Sequence, residues 1–440
     1  MLWILGLPLE LRLLVLAIFG CVAGSLCNLA IYRLAYRQRS ISPWSLPLPD
    51  APPRSWFDRL PILGWLSLSS REIPLHGRGF WIRPLLIEVG LAIALPLLYW
   101  WEIEGLGQLP IELQNLLRGS PRHLEVAQIR LHQPFVMHAL LLLAMTIASF
   151  IDFDEKTIPD EVTIPGTLIG LVLIALLPFG MLPCWHEQML LLVANRANIP
   201  PNIQLDLGTV WLTTPVEWPE CFNGWPHGWS LVIGLGCFWL WCIGLLPRPW
   251  RTRHGYGRAW ALMVARIRRE PFSNFVLLIA VLGTVAVALV WWLDRHPATI
   301  SWKSLLSGLV GICVSGGIIW LVRIIGRFAL RKEAMGFGDV TLMAMIGLVV
   351  GWQASLMIFF IAPIVGLAWG LFQLVTGRGN ELPYGPFLCM ATLVVLWKWA
   401  ELWTWAAPVF AMPELVPMTM AACMGMLLVL LTGLRLIRRG

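Results

Sequence analysis

Apolar residues in this chain fall into runs of about 20, the length a helix needs to cross the hydrocarbon core of a bilayer. The polar residues are concentrated between those runs. The runs occupy 11–32, 85–101, 135–151, 162–182, 227–246, 273–294, 305–325, 339–351, 354–376, 387–406 and 416–434. The pattern predicts an all-α polytopic membrane protein of about eleven transmembrane helices. The eighth run is short and requires the chain to reverse at Gly351-Trp352. Segments 33–84, with Pro43, Pro47, Pro49, Pro52 and Pro53, and 183–226 show neither helical nor strand periodicity and read as irregular insertions. Lys398 and Glu401, three apart on the tenth run, are spaced to pair.

Orientation follows from Lys and Arg. If the chain starts outside, the cytoplasmic segments 33–84, 152–161, 247–272, 323–338, 377–386 and the tail carry 24 of these residues, and the external segments 102–133, 183–226 and 295–304 carry 6. Such asymmetry sets the N-terminus outside and the C-terminus in the cytoplasm. The expected division is a first helix (1–32), a cytoplasmic loop domain (33–84), helices carrying one acid (85–182), an external insertion (183–226), a helix pair with a basic loop (227–304), helices carrying a second acid (305–408) and a final helix (409–440).

Composition agrees: 58% of residues are hydrophobic and 13% charged, with mean hydropathy +0.73, against about 25% charged in a soluble domain. The net charge of +7 is no nucleic-acid signal, because basic residues nowhere interleave with aromatics in a stripe. The Arg248–Arg269 cluster suits anionic lipid headgroups instead. None of the nine cysteines has CxxC spacing. Cys184 and Cys221 share one polar segment and are candidates for a disulfide, with His186 and His227 offering a zinc alternative. The first apolar run continues to Leu34 and reads as an anchor, not a cleaved signal.

Two acids stand out against this apolar background. Asp339 closes Met335-Gly336-Phe337-Gly338-Asp339 at the mouth of an apolar run, where an unpaired carboxylate is costly. Gly336 and Gly338 permit positive φ and close approach of another backbone. The bland alternative for Asp339 is a helix N-cap. Asp152 follows the third run and Asp339 the seventh, so both lie at the same face. Two carboxylates in one site share a proton, one acting as base and the other as acid, which suffices to hydrolyse an amide through water. HExxH, Gly-x-Ser-x-Gly and credible Cys/His sets are missing from the sequence.

Asp152 with Ile158-Pro159-Asp160, together with Gly336-Phe337-Gly338-Asp339, resembles the type IV prepilin peptidases, membrane aspartic proteases of the Gly-x-Gly-Asp kind. Gly24–Leu34, Phe57–Leu66, Arg83–Glu88 and Leu382–Leu388 are similar to further segments of that family, in the same order. The resemblance implies an endopeptidase of the bacterial inner membrane. It would remove the short basic leader of prepilins or pseudopilins at the cytoplasmic face, with Asp152 and Asp339 catalytic and Asp160 supporting. Asp154, Glu155, Glu161 and Glu333 are candidates for attracting a basic leader. The family pattern includes two CxxC pairs in the first loop and, in many members, N-methylation with S-adenosylmethionine. Segment 33–84 contains no cysteine, so no thiolate zinc site forms there. Proteolysis needs no cofactor. If methylation is retained, S-adenosylmethionine is the cofactor and Asp58, Glu72, Arg83 and Glu88 are the first residues to test, with a structural ion pair the alternative for Glu88. Rival readings are the same chemistry on non-pilin membrane peptides, an ion- or proton-coupled transporter using the two acids, and an inactive scaffold.

Overall fold

The structure, a computed structural model, describes residues 5–49, 51–185, 207–216, 228–246, 256–294, 300–331, 335–376, 383–412 and 414–437. The helices are α1 (Leu9–Leu34), α2 (Leu63–Arg71), α3 (Ile82–Tyr99), α4 (Ile111–Arg118), α5 (Pro121–Glu155), α6 (Asp160–Leu176) and α7 (Gly228–Leu245). They continue with α8 (Tyr256–Arg269), α9 (Pro271–Leu293), α10 (Ser301–Leu330), α11 (Phe337–Thr376), α12 (Gly385–Trp397), α13 (Trp399–Phe410) and α14 (Leu415–Ile437). One two-residue antiparallel pair, Pro183–Cys184 with Gly208–Thr209, is the strand content among the described residues.

Among those residues, eight helices are long and apolar enough to cross a membrane, or nine if the bent pair α12–α13 counts as one span. The difference from eleven has two sources. Helix α6 has 17 residues, and α11 is a single 40-residue element interrupted by Gly351 at φ 82°, a conformation glycine reaches without penalty. That interruption reverses the chain. The Trp352 indole donates to the Leu212 carbonyl at one face, whereas Trp369 returns to the level of Phe153 and Pro386 at the other.

Four expectations need correction. The third span is not 135–151 but runs from Pro121 to Glu155, straight through Pro134. A proline at the edge of an apolar run imitates a helix start, yet here the helix continues on its N-terminal side. The segment 102–133 is therefore not merely a connection between spans; it contains α4 and the first turns of α5. The span expected at 387–406 is bent by 90° between α12 and α13. Segment 33–84 is not without regular structure, since it contains α2 and the single turn Ile73–His76.

Small residues let helices approach where no hydrophobic gain drives them together. At the α10–α11 crossing, Gly311 faces Gly347 and Gly316 faces Ala344, so side chains do not hold the axes apart. The inserted α7 and α9 pack on the outside of this pair. The Trp302 indole reaches Ser230 Oγ at 3.0 Å, and Gly234 lies under the Trp302 ring.

The loop between α1 and α3 is organised around charges. Arg54 donates through Nε and Nη2 to the two carboxylate oxygens of Glu72 at 2.8 and 2.9 Å, and to the carbonyls of Ser40, Ser42 and Ser45. Both side chains are almost fully buried. Asp58 accepts from the Ser55 N–H at 2.7 Å and from Arg71. Burial alone pushes the Asp58 carboxyl up, but bonds from Arg71 and Ser55 outweigh it and hold it below the usual carboxylate range. Glu88 accepts from the Ile62 N–H at 2.6 Å and from Asn28 at 3.2 Å. Ile62 sits at φ 65°, strained for a β-branched residue, so Glu88 fixes an unfavourable turn where loop meets bundle. Among the described residues, Glu88 is held by amides and not by an ion pair.

Candidate active site

Helix α5 ends on Ile151-Asp152-Phe153-Asp154-Glu155 and is closed by Lys156 in the left-handed conformation, whose N–H bonds the Asp152 carbonyl at 2.8 Å. Carboxylates at a helix C-terminus oppose the macrodipole, so three acids in this turn need compensation. Two receive it. Asp154 takes both carboxylate oxygens to Arg83 Nη1 at 2.8 Å, and Glu155 accepts the Tyr36 and Arg37 N–H groups at 2.6 and 2.7 Å. Asp152 is different. It is 4% exposed, and its Oδ2 accepts from an uncharged amide, the Gly385 N–H, at 3.1 Å.

Asp339 is 8% exposed and lies in the first turn of α11. Its Oδ2 would lie 3.7 Å from a Cβ on Gly336, the residue before the helix. The helix starts at Phe337, two residues earlier, so Asp339 is not the N-cap. The two acids are close enough for the charge of Asp152 to act on Asp339, and the Cys389 thiol senses both. Ile158, between α5 and α6, packs against both supports: a Cβ on Gly338 would lie 2.8 Å from Ile158 Cβ, and one on Gly385 would lie 2.8 Å from Ile158 Cδ1.

The glycines divide the expected roles. Gly338 permits close backbone approach, but the neighbour is Ile158 of the same chain. Gly336 is exposed, and a Cβ there would make ordinary contact with Asp339 Oδ2 at 3.7 Å. Neither adopts positive φ; Gly77, Gly79 and Gly351 do so among the described glycines. Asp160 opens α6 and is half-buried in its first turn, with Glu161 beside it. Gly385, noticed in the sequence only as part of a motif, supplies the N–H that holds Asp152.

Other expected residues take no place at this site. Asp154 and Glu155 are engaged as above, and both line a cavity beside Arg37 and Arg39. Glu333 lies outside the described residues. Asp58, Glu72 and Glu88 are fully buried in the loop scaffold, and Arg83 is bound to Asp154 and the Phe150 carbonyl. None of these four lines the cavity between Tyr32, Arg37, Arg39 and Asp154, about 410 Å³. Each of the four is bonded to other neighbours: Asp58 to Ser55 and Arg71, Glu72 to Arg54, Glu88 to Ile62 and Asn28, and Arg83 to Asp154. Cys184 is a free buried thiol, pushed up by burial to about 12. Cys221, His186 and His227 lie outside the described residues, so the disulfide does too. No group of three or more metal-ligating His, Cys, Asp or Glu side chains occurs among the described residues. Lys398 and Glu401 pair at 2.7 Å, as their spacing predicts.

Comparison with known proteins adds an independent line. Residues 259–371 match the type IV leader peptidase family, a stretch that contains Asp339 but not Asp152. A "Type 4 prepilin-like proteins leader peptide-processing enzyme" of Escherichia coli is 25% identical over 200 residues, covering 45% of this chain and 60% of its own length. "Prepilin leader peptidase/N-methyltransferase" proteins are also similar: that of Aeromonas hydrophila is 26% identical, covering 26% of this chain and 49% of its own length. That of Stutzerimonas stutzeri is 33% identical, covering 21% and 33%. The chain thus spans about half or less of most of these relatives. No solved structure matches it.

Proposed function

We infer that this chain, a relative of the type IV leader peptidases, is a membrane-embedded aspartic endopeptidase that removes the short basic leader of prepilins or pilin-like secretion proteins. The supporting observation is the convergence of Asp152 and Asp339, 187 positions apart in sequence, on one buried site. One carboxylate draws a proton from water, the water adds to the scissile carbonyl, and the protonated partner supports the oxyanion and then protonates the departing amine. The Gly385 N–H, an uncharged donor, orients Asp152. No cofactor enters this reaction, and the loop acids act as scaffold.

The acids lie on the face whose connecting segments carry most of the Lys and Arg, which favours cytoplasmic cleavage in a bacterial inner membrane, with the start of α1 outside. Asp152→Asn and Asp339→Asn are each expected to reduce cleavage of a pilin-like precursor in proteoliposomes by at least about 10²-fold, with unchanged melting. Undiminished cleavage by either variant removes that acid from the mechanism.

A further inference from the structure

Helices α5 and α12, which respectively carry Asp152 and hold it through Gly385, also form two walls of a cavity of about 320 Å³ that Trp369 of α11 and Pro383 line as well. On α5 the lining residues Leu142, Thr146 and Phe153 share one face; on α12 they are Pro386, Met390 and Leu393. Both stripes begin one residue from the site, at Phe153 beside Asp152 and at Pro386 beside Gly385, and descend together into the apolar layer. At 1.5 Å per residue, Leu142 to Phe153 spans roughly 16 Å, about half the hydrocarbon thickness.

The groove is apolar and open at the side. Thr146 turns its hydroxyl back to the Leu142 carbonyl at 2.7 Å, leaving its methyl to the cavity. Phe153, Met390 and Leu393 are 59%, 49% and 44% exposed on a surface that faces lipid. A lipid acyl chain would fill such a crevice anywhere along the protein, with no relation to the acids. The continuity of this one with the two supports of Asp152 selects a different occupant.

We propose that the groove seats the apolar membrane segment of the polypeptide substrate, aligned along α5 and α12 so that the peptide bond emerging at its upper end meets Asp152 and Asp339. This rests on the endopeptidase reading. Apolar side chains at i, i+4 and i+7 of the bound segment lie between the two stripes, and the polar leader leaves past exposed Gly336. The groove thereby sets the cleavage position by depth: the enzyme measures the bond from the start of the apolar segment, not from the leader's own length.

The test is site-specific photocrosslinking in proteoliposomes with a pilin-like precursor. Benzoyl-phenylalanine is placed at Met390 or Leu393 in an Asp339→Asn background, so that binding is read without cleavage. Leu289, exposed on α9, serves as the control. The expected result is an adduct to the precursor's apolar segment from Met390 and Leu393 and not from Leu289. Adducts to lipid alone, or equal precursor adducts from Leu289, overturn the proposal even if the acids prove catalytic. In the active protein, Met390→Trp narrows the groove and is expected to raise KM for the precursor about tenfold with kcat little changed. If instead the acid variants cleave normally while the crosslinks form, the catalytic reading fails and the docking site stands.

Discussion

Three carboxylates end one helix, and their environments separate their roles. Asp154 and Glu155 are bonded to Arg83 and to backbone amides of the α1 exit, whereas Asp152 is left with the Gly385 N–H. Sequence alone singles out Asp152 and Asp339, because ionisable residues at the ends of apolar runs are costly and therefore conspicuous. It does not single out the amide that holds Asp152, since any residue but proline supplies an N–H. Gly385 is more than an amide donor: a Cβ there would stand 2.5 Å from Asp152 Oδ2. Gly385→Ala is therefore expected to displace the acid and cut kcat by about 10-fold or more, since small misplacements of a catalytic group are expensive. Its melting temperature should fall by only a few degrees. A variant with normal kcat would show that Gly385 does not position Asp152.

Among the elements, the loop between α1 and α3 was the least legible, because its order comes from long-range charge pairs that carry no period. Arg54 is its hub. Removing one member of a buried pair strands the other, at about 3–5 kcal/mol, whereas replacing both with apolar residues is close to neutral. Arg54→Ala is thus expected to open 33–84 to limited proteolysis, and Arg54→Met with Glu72→Met to restore much of the protection; equal sensitivity of single and double variants would refute the pairing. Asp58 gives the same loop a pH response. Its folded carboxyl lies below the unfolded value, so its stabilisation is complete above about pH 4 and is lost as pH falls through the folded value. Digestion of the loop by pepsin should accelerate as pH drops below about 4, and Asp58→Asn should flatten that dependence. Sequence also misplaced the start of α5, for the related reason that Arg122, His123, Glu125, Arg130 and His132 lower local hydropathy without breaking the helix. That error hid an internal polar layer. His138 Nδ1 lies 2.7 Å from Glu102 Oε1, and Arg12 bonds Tyr99 and Glu104.

For the molecule as a whole, hydropathy revealed the crossings well, because lipid imposes length and apolarity on every span. It could not distinguish helices that build the site from those added around it; packing does. The acids depend on α5, α6, α11 and α12, locked by α10, whereas α14 lies on the outside against α10 and α13. The most apolar stretch of α14 is only 6% buried, and a cavity of about 590 Å³ separates parts of it from Leu212–Val216 and α10. Arg435 reaches the Ala329 carbonyl at 3.4 Å, a long bond near one end. Lipid chains are as apolar as the Val, Met and Leu side chains of α14, so lipid can replace that helix with little loss of burial energy. Truncation after residue 412 is therefore expected to leave cleavage of a pilin-like precursor within about twofold of the full chain, at a Tm lowered by a few degrees. A truncated protein that still melts cooperatively but no longer cleaves would place α14 within the working unit, coupled to the acids through α10.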